Sequence, residues 1–205
     1  MKLSTLSIVL IFWSFLLVSC NKKESSTHSV EEKNIVELPE VNYLEIGKEL
    51  AMQTKASLGK NLIMAINKKG SDRAVEFCKT KAIPITDSMS VILDATIKRV
   101  SDKSRNSNNQ ANEAELAYIN SWKEAKENGE EHRSLLTEID EKMVGYYPIV
   151  TNQMCLQCHG TPEKQINTPT LSKIKKLYPT DNAVGYADGE IRGLFVVEMN
   201  KNQTQ

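Results

Sequence analysis

An excess of charge of either sign is what this sequence most plainly lacks: 26 Lys and Arg stand against 26 Asp and Glu in 205 residues. Such a balance provides no long-range field to hold nucleic acid or an anionic lipid surface. His is scarce at three and Cys at four. One C-x-x-C occurs, with no second C-x-x-C and no His pair to complete a tetrahedral zinc site. No internal repeat is visible, and no apolar run is long enough for a comfortable membrane span. What remains is 40% hydrophobic and 25% charged, the composition of an ordinary soluble core, and its length suits one domain plus a targeting segment.

That targeting segment is the N-terminus. Met1 and Lys2 form a short, weakly positive start, and Leu6 to Val18 is an apolar run broken only by small residues, as in a signal peptide. It closes on Leu17-Val18-Ser19-Cys20, which resembles the lipobox of bacterial lipoproteins. The resemblance implies that residues 1–19 are removed and that Cys20 carries a lipid. Residues 20–42 follow as a tether, rich in Lys, Glu, Ser and Asn, too polar to offset the entropy of ordering. The folded domain is expected over residues 43–200.

Within it, apolar residues recur at helical spacing from Tyr43 to about Lys69, and Gly70 stands where a helix C-cap is favoured. Ser71 and Asp72 can cap a second helix, expected to stop near Lys81 because Pro84 disfavours the α region at Ile83. Ile92 to Val100 reads as a strand and 101–112 as a polar loop. Asn112 with Glu115 could cap a third helix presenting Leu116, Ile119, Trp122 and Ala125, ended by Gly129. Beyond His132 come short β-like pieces interrupted by Gly145 and Pro148, then a short helix over Leu171–Leu177. Ala183–Tyr186, a turn at Asp188-Gly189 and Ile191–Met199 read as a β-hairpin. Helices first and antiparallel strands later predict an α+β domain.

The chemistry sits in Cys155-Leu156-Gln157-Cys158-His159-Gly160. C-x-x-C-H is the attachment signature of c-type haem. Two thiols three positions apart can reach the vinyl groups on one edge of the porphyrin, and the following imidazole projects under the iron. A thioredoxin-like pair would need a β-α-β setting. A Cys155–Cys158 disulfide would close a small strained ring and leave His159 without a role. Export of the chain agrees with haem, which is attached outside the cytoplasm.

Cys78 is then the remaining thiol, in a compartment where unpaired thiols tend to oxidise. On a helix it shares a face with Ala74, Val75 and Ala82, small enough for a flat cofactor to approach the sulfur. It is either a second axial ligand or an inert buried Cys. Met64, Met89, Met143, Met154, Met199, His28 and His132 compete for the sixth iron position.

Together these blocks resemble the small c-type haem domains with a PAS-like fold and a Cys as second axial ligand, which occur as free single-haem cytochromes and as periplasmic sensor modules of histidine kinases. The resemblance spans residues 43–200. It rests on Ala74-Val75-Glu76-Phe77-Cys78, on Arg99 to Asn106, on Cys155 to Gly160, and on Tyr178-Pro179, Ala183 to Tyr186 and Gly189 to Gly193. That family carries Pro where this chain has Ser107 and Ala111. The resemblance implies a PAS-like antiparallel sheet and one covalent haem, linked by Cys155 and Cys158 and ligated by His159 and Cys78. Arg99, Lys103 and Arg105 would be either partners for its propionates or a solvated basic loop.

The expected protein is a lipid-anchored single-haem cytochrome of the cell envelope that transfers single electrons and catalyses no reaction. Thiolate ligation would make the haem low in potential. The alternative is a redox or diatomic-gas sensor module acting through a partner such as a kinase. No output domain follows Gln205 in this sequence, which favours the carrier. A haem peroxidase would call for a distal His/Arg pair, and none is evident.

Overall fold

A computed structural model describes residues 41–201. The signal segment, Cys20 and His28 lie outside the described residues, as does the tether up to Glu40.

The organising element is a four-stranded antiparallel sheet built from β1 (Thr96–Val100), β2 (Leu135–Ile139), β3 (Lys142–Val150) and β4 (Ile191–Asn200), in the order β1-β4-β3-β2. The last strand is central because its sequence alternates two apolar sets. Leu194 and Val196 face α2 (Glu113–Glu127), packing with Val144, Tyr146, Tyr118 and Ile119. Phe195, Val197 and Met199 face α1 (Tyr43–Ile92), packing with Leu50, Ala51, Ile97 and Tyr147. Period-two alternation thus gives the sheet two buried faces, one under each long helix. The domain is α+β, as expected.

α1 has the predicted break: Gly70 takes φ 84°, ψ 169°, a conformation open to glycine and strained for other residues. Ser71 does not cap the second half; its hydroxyl instead bonds Thr170 Oγ1 at 2.6 Å, tying α1 to α4 (Thr168–Leu177). The second half does not stop near Lys81. It runs through Pro84 to Ile92, and β1 begins only at Thr96. Carbonyls on this stretch find side-chain donors: Thr86 Oγ1 and Arg99 both bond Ala82 O, and Ser88 bonds Pro84 O. The proline itself removes only the N–H that Thr80 O would accept, and the helix beyond it is held to β1 by Arg99.

α2 has its capping box, with Asn112 Oδ1 accepting from Glu115 N and Glu115 accepting from Asn112 N. Neither Gly145 nor Pro148 interrupts β3. A Cβ at Gly145 would collide with the Tyr147 ring, so glycine makes room for it. Pro148 lies past Tyr146, where β2 stops pairing, so only β4 flanks it. The loop after β1 holds a short 3-10 turn at Ser107–Asn109, and Ala111 N donates to Ser101 O, a bond a proline there would forfeit.

The C-terminal hairpin does not form. The 183–186 segment is not a strand: Gly185 N donates to Gly160 O and Tyr186 N to His159 O, so its donors serve α3 (Gln153–His159) rather than β4.

Candidate haem site

Cys155, Cys158 and His159 lie on α3, a helix of two turns whose first N–H groups are capped by Asn152 Oδ1. Thiols three apart on such a helix point to one side, as attachment to one edge of a ring requires. No disulfide joins them; both are thiols, as is Cys78. Cys155 is held by its cap residue, with its Sγ 3.3 Å from Asn152 Oδ1. Cys158 packs against a cluster of Val75, Ile166, Leu171, Ile174 and Tyr178. Burial pushes its thiol up to about 11, with Arg105 opposing and the Cys78 sulfur adding to the rise. Gly160 closes the helix where a Cβ would strike Leu156 O and Gln165.

His159 is positioned by backbone. Its Nδ1 lies 2.7 Å from Ala183 O and 3.3 Å from Arg192 Nε. A carbonyl can only accept, so Nδ1 carries the proton and Arg192 acts as a neighbouring cation. Burial, then Arg192 and Arg105, hold the imidazole well below its usual pKa. A neutral ring with Nδ1–H engaged presents an Nε2 lone pair, the state in which His binds metals. Tyr186 stands edge-on to the ring, with centroids 6.2 Å apart.

Arg105 ties these parts together. It makes a two-pronged pair with Asp181, at 3.1 Å to each oxygen, and its Nη2 also donates to Cys158 O and Ala183 O. Arg105 is 11% and Asp181 7% exposed. One guanidinium therefore orients both the carbonyl that fixes His159 and the end of the C-x-x-C turn. Arg105 and Arg99 do not form a solvated basic loop: Arg99 donates to Thr86 Oγ1 and Ala82 O. Lys103 lies over the Tyr186 ring, 5.4 Å from its centroid.

Cys78 sits on the second half of α1 beside buried Ala74 and Val75, with Val75 in the cluster that Cys158 packs against. Burial raises its thiol pKa while Arg105 and Arg99 oppose the rise. The fold thus brings Cys78 to the helix that carries C-x-x-C-H. Among its rivals, His132 stands edge-on to Tyr118 and tilted against Trp122 on α2, Met199 is buried between α1 and the sheet, and Met143 packs there too. Met64 is 50% exposed.

The residues present fit a haem better than a bare ion. Among the described residues no group of three His, Cys, Asp or Glu converges as a metal site. A porphyrin brings its own four nitrogens and asks the protein for axial ligands only. Cavities of about 480 Å³ and 260 Å³ lie at the end of α1 and under α2, and neither is lined by Cys or His.

Comparison with known proteins follows this geometry. The Tll0287-like family model matches residues 21–200. The chain belongs to the Tll0287-like family. A solved structure, the crystal structure of the cyanobacterial haem protein Tll0287, aligns with 80% of this chain and 100% of its own, at a TM-score of 0.54 and 19% identity. At that identity the likeness shows a shared fold. No curated protein matches.

Sequence reasoning singled out the three α3 residues and Cys78, which the fold places near one another, but gave Asp181, Arg192 and Tyr186 no role in this Tll0287-like chain. A signal existed for Asp181, the one acid between Tyr178 and Asp188, facing a loop with buried arginines.

Proposed function

We propose that this Tll0287-like chain is a single-haem c-type cytochrome, lipid-anchored at Cys20 and facing the periplasm or cell surface, that passes single electrons to or from a partner. The observation that carries it is the α3 arrangement: two thiols on one side, then a neutral His159 whose Nδ1–H is fixed by Ala183 O. Haem, when bound, supplies a one-electron iron couple. Cys155 and Cys158 would attach it, and His159 Nε2 and Cys78 Sγ would hold its iron.

The protein's own residues do the rest. Ala183 and Arg105 hold the His159 ring in one orientation, and Arg105 and Arg99 favour the charged form of the Cys78 sulfur against burial. Partly buried Leu62, Ile66 and Phe77 on α1 offer apolar surface to a flat ring. The solved neighbour is itself a haem protein, in keeping with this reading. A PAS-like description suits the sheet flanked by helices.

The test is an absorption spectrum of purified oxidised and reduced protein, with Cys78→Ala beside it. A low-spin ferric thiolate spectrum, lost in Cys78→Ala together with a gain of small-ligand binding, supports the assignment. A spectrum unchanged in Cys78→Ala gives the sixth position to one of the Met or His residues. A second reading, a redox or gas sensor acting through a partner protein, is favoured by the burial that raises the Cys78 thiol, since a protonated thiol is a poor ligand. CO binding to the reduced wild type would support it.

A further inference from the structure

Zero net charge conceals a separation across the sheet. Between Lys55 and Lys81, on α1, seven Lys and Arg stand against two acids; from Lys164 to Leu177, through α4, four Lys stand against none. Between Glu113 and Glu127, on α2, four acids stand against two Lys. α1 and α2 cover opposite faces of the sheet. α4 belongs with α1, joined by Ser71–Thr170 and by Lys173 to Glu76. Of the two acids on the basic stretch, Glu76 is already matched by Arg73 and Lys173. Most of the remaining cations, among them Lys60, Lys68, Lys79, Lys175 and Lys176, are exposed.

Two further features mark this pole as a contact surface. Met52, Ile63 and Met64 on α1 are also exposed, and apolar residues beside charged ones are common at protein interfaces. Lys79 directly follows Cys78 and sits over the Tyr178 ring at 4.8 Å, so the basic surface reaches the site itself.

We propose that the exposed α1–α4 surface is the docking face for an acidic protein, the electron-exchange partner of the Cys78–His159 site. The partner's role in electron exchange rests on the haem reading; the surface itself rests on charge and burial alone. A protein is favoured over an anionic membrane because the patch exposes no Trp or Phe to enter lipid, and because seating it on lipid would close the approach beside Cys78. The opposite acidic pole would turn an incoming acidic partner toward this side, an effect that salt suppresses.

The experiment is lysine footprinting of the full-length protein by brief acetylation, read by mass spectrometry, with poly-L-glutamate as the acidic probe. The expected result is loss of reactivity at Lys68, Lys79, Lys175 and Lys176 at low salt, regained at high salt, with Lys123, Lys126 and Lys142 unchanged. Lys68→Glu/Lys175→Glu/Lys176→Glu should abolish the footprint while its far-UV circular dichroism matches wild type; if that variant is unfolded, the same three positions as Gln serve, with a weakened footprint expected. Equal protection at both poles, no protection, or protection that survives high salt overturns the proposal. So does protection by phosphatidylcholine–phosphatidylglycerol vesicles without protection by poly-L-glutamate. Haem staining of the same sample reports separately on the haem reading, so either can fail alone.

Discussion

α2 and the stretch of α1 from Lys55 to Lys69 are equally long, and both carry apolar residues at helical spacing, yet they are used differently. In α2, Tyr118 and Ile119 are buried against the sheet, with Leu116 and Trp122 packed beside them. In the α1 stretch no residue is buried, although it holds Leu58, Leu62, Ile63, Met64 and Ile66. The first helix spends its apolar face on the fold. The second packs only Leu58 against the core and leaves Ile63 and Met64 exposed, the kind of surface that is often functional. The same contrast holds for charge, since the α1 side gathers cations around the cysteines and the α2 side gathers acids.

The largest expected effect lies on the α1 side. Cys155→Ser/Cys158→Ser should leave no haem band after denaturing electrophoresis, and each single variant should weaken it. A full-strength band in the double variant would end the covalent reading.

Next is Arg105→Ala, which strands buried Asp181 and releases the carbonyls of Cys158 and Ala183. A loss of about 3–5 kcal/mol in urea unfolding is expected. The comparison on the α2 side is Lys123→Ala, which removes a partly exposed partner of Asp102 and should cost no more than about 1 kcal/mol. Equal losses would mean that Arg105 has no special place in the site.

Packing sharpens the contrast further. Ile119→Ala should cost about 2–5 kcal/mol, and Ile63→Ala should stay within about 0.5 kcal/mol. A large loss at Ile63 would break the comparison, because that residue would then be part of the core.

The smallest effect is a pH dependence. His159 titrates lower in the fold than in the unfolded chain, whose value is near 6.5. Above that pH both states are neutral and stability is complete. As pH falls below it the unfolded chain gains a proton that the fold resists, so stability drops by up to about 1.4 kcal/mol per pH unit. In the haem-free double Cys variant, His159→Gln should flatten this slope between roughly pH 6.5 and 5; an unchanged slope assigns it to other groups.

Local patterns were legible where local rules act alone. Helix spacing, the Asn112–Glu115 box and the Gly70 break each depend on neighbours within a few residues, and each was found. The stretch around Pro84 and the 183–186 segment depart from local rules because each is held by residues far along the chain. Arg99 serves the carbonyl of Ala82, and Gly160 and His159 receive the N–H groups of Gly185 and Tyr186. Local rules alone would stop the helix before the proline and continue the Asp-Gly turn into a hairpin.

The candidate site divides the same way. C-x-x-C-H is contiguous, and its spacing alone places two thiols and an imidazole on one short helix. By itself the sequence therefore determined the C-x-x-C-H motif, the helical and strand periodicities, and a net charge of zero. Only the tertiary structure brought Cys78 to that motif across the chain, buried Arg105 with Asp181 and set Arg192 beside His159. It also sorted balanced charges onto opposite sides of a sheet. The physical reason is that burial, pairing and field depend on distances in space, and the residues that make them here lie tens of positions apart in the chain.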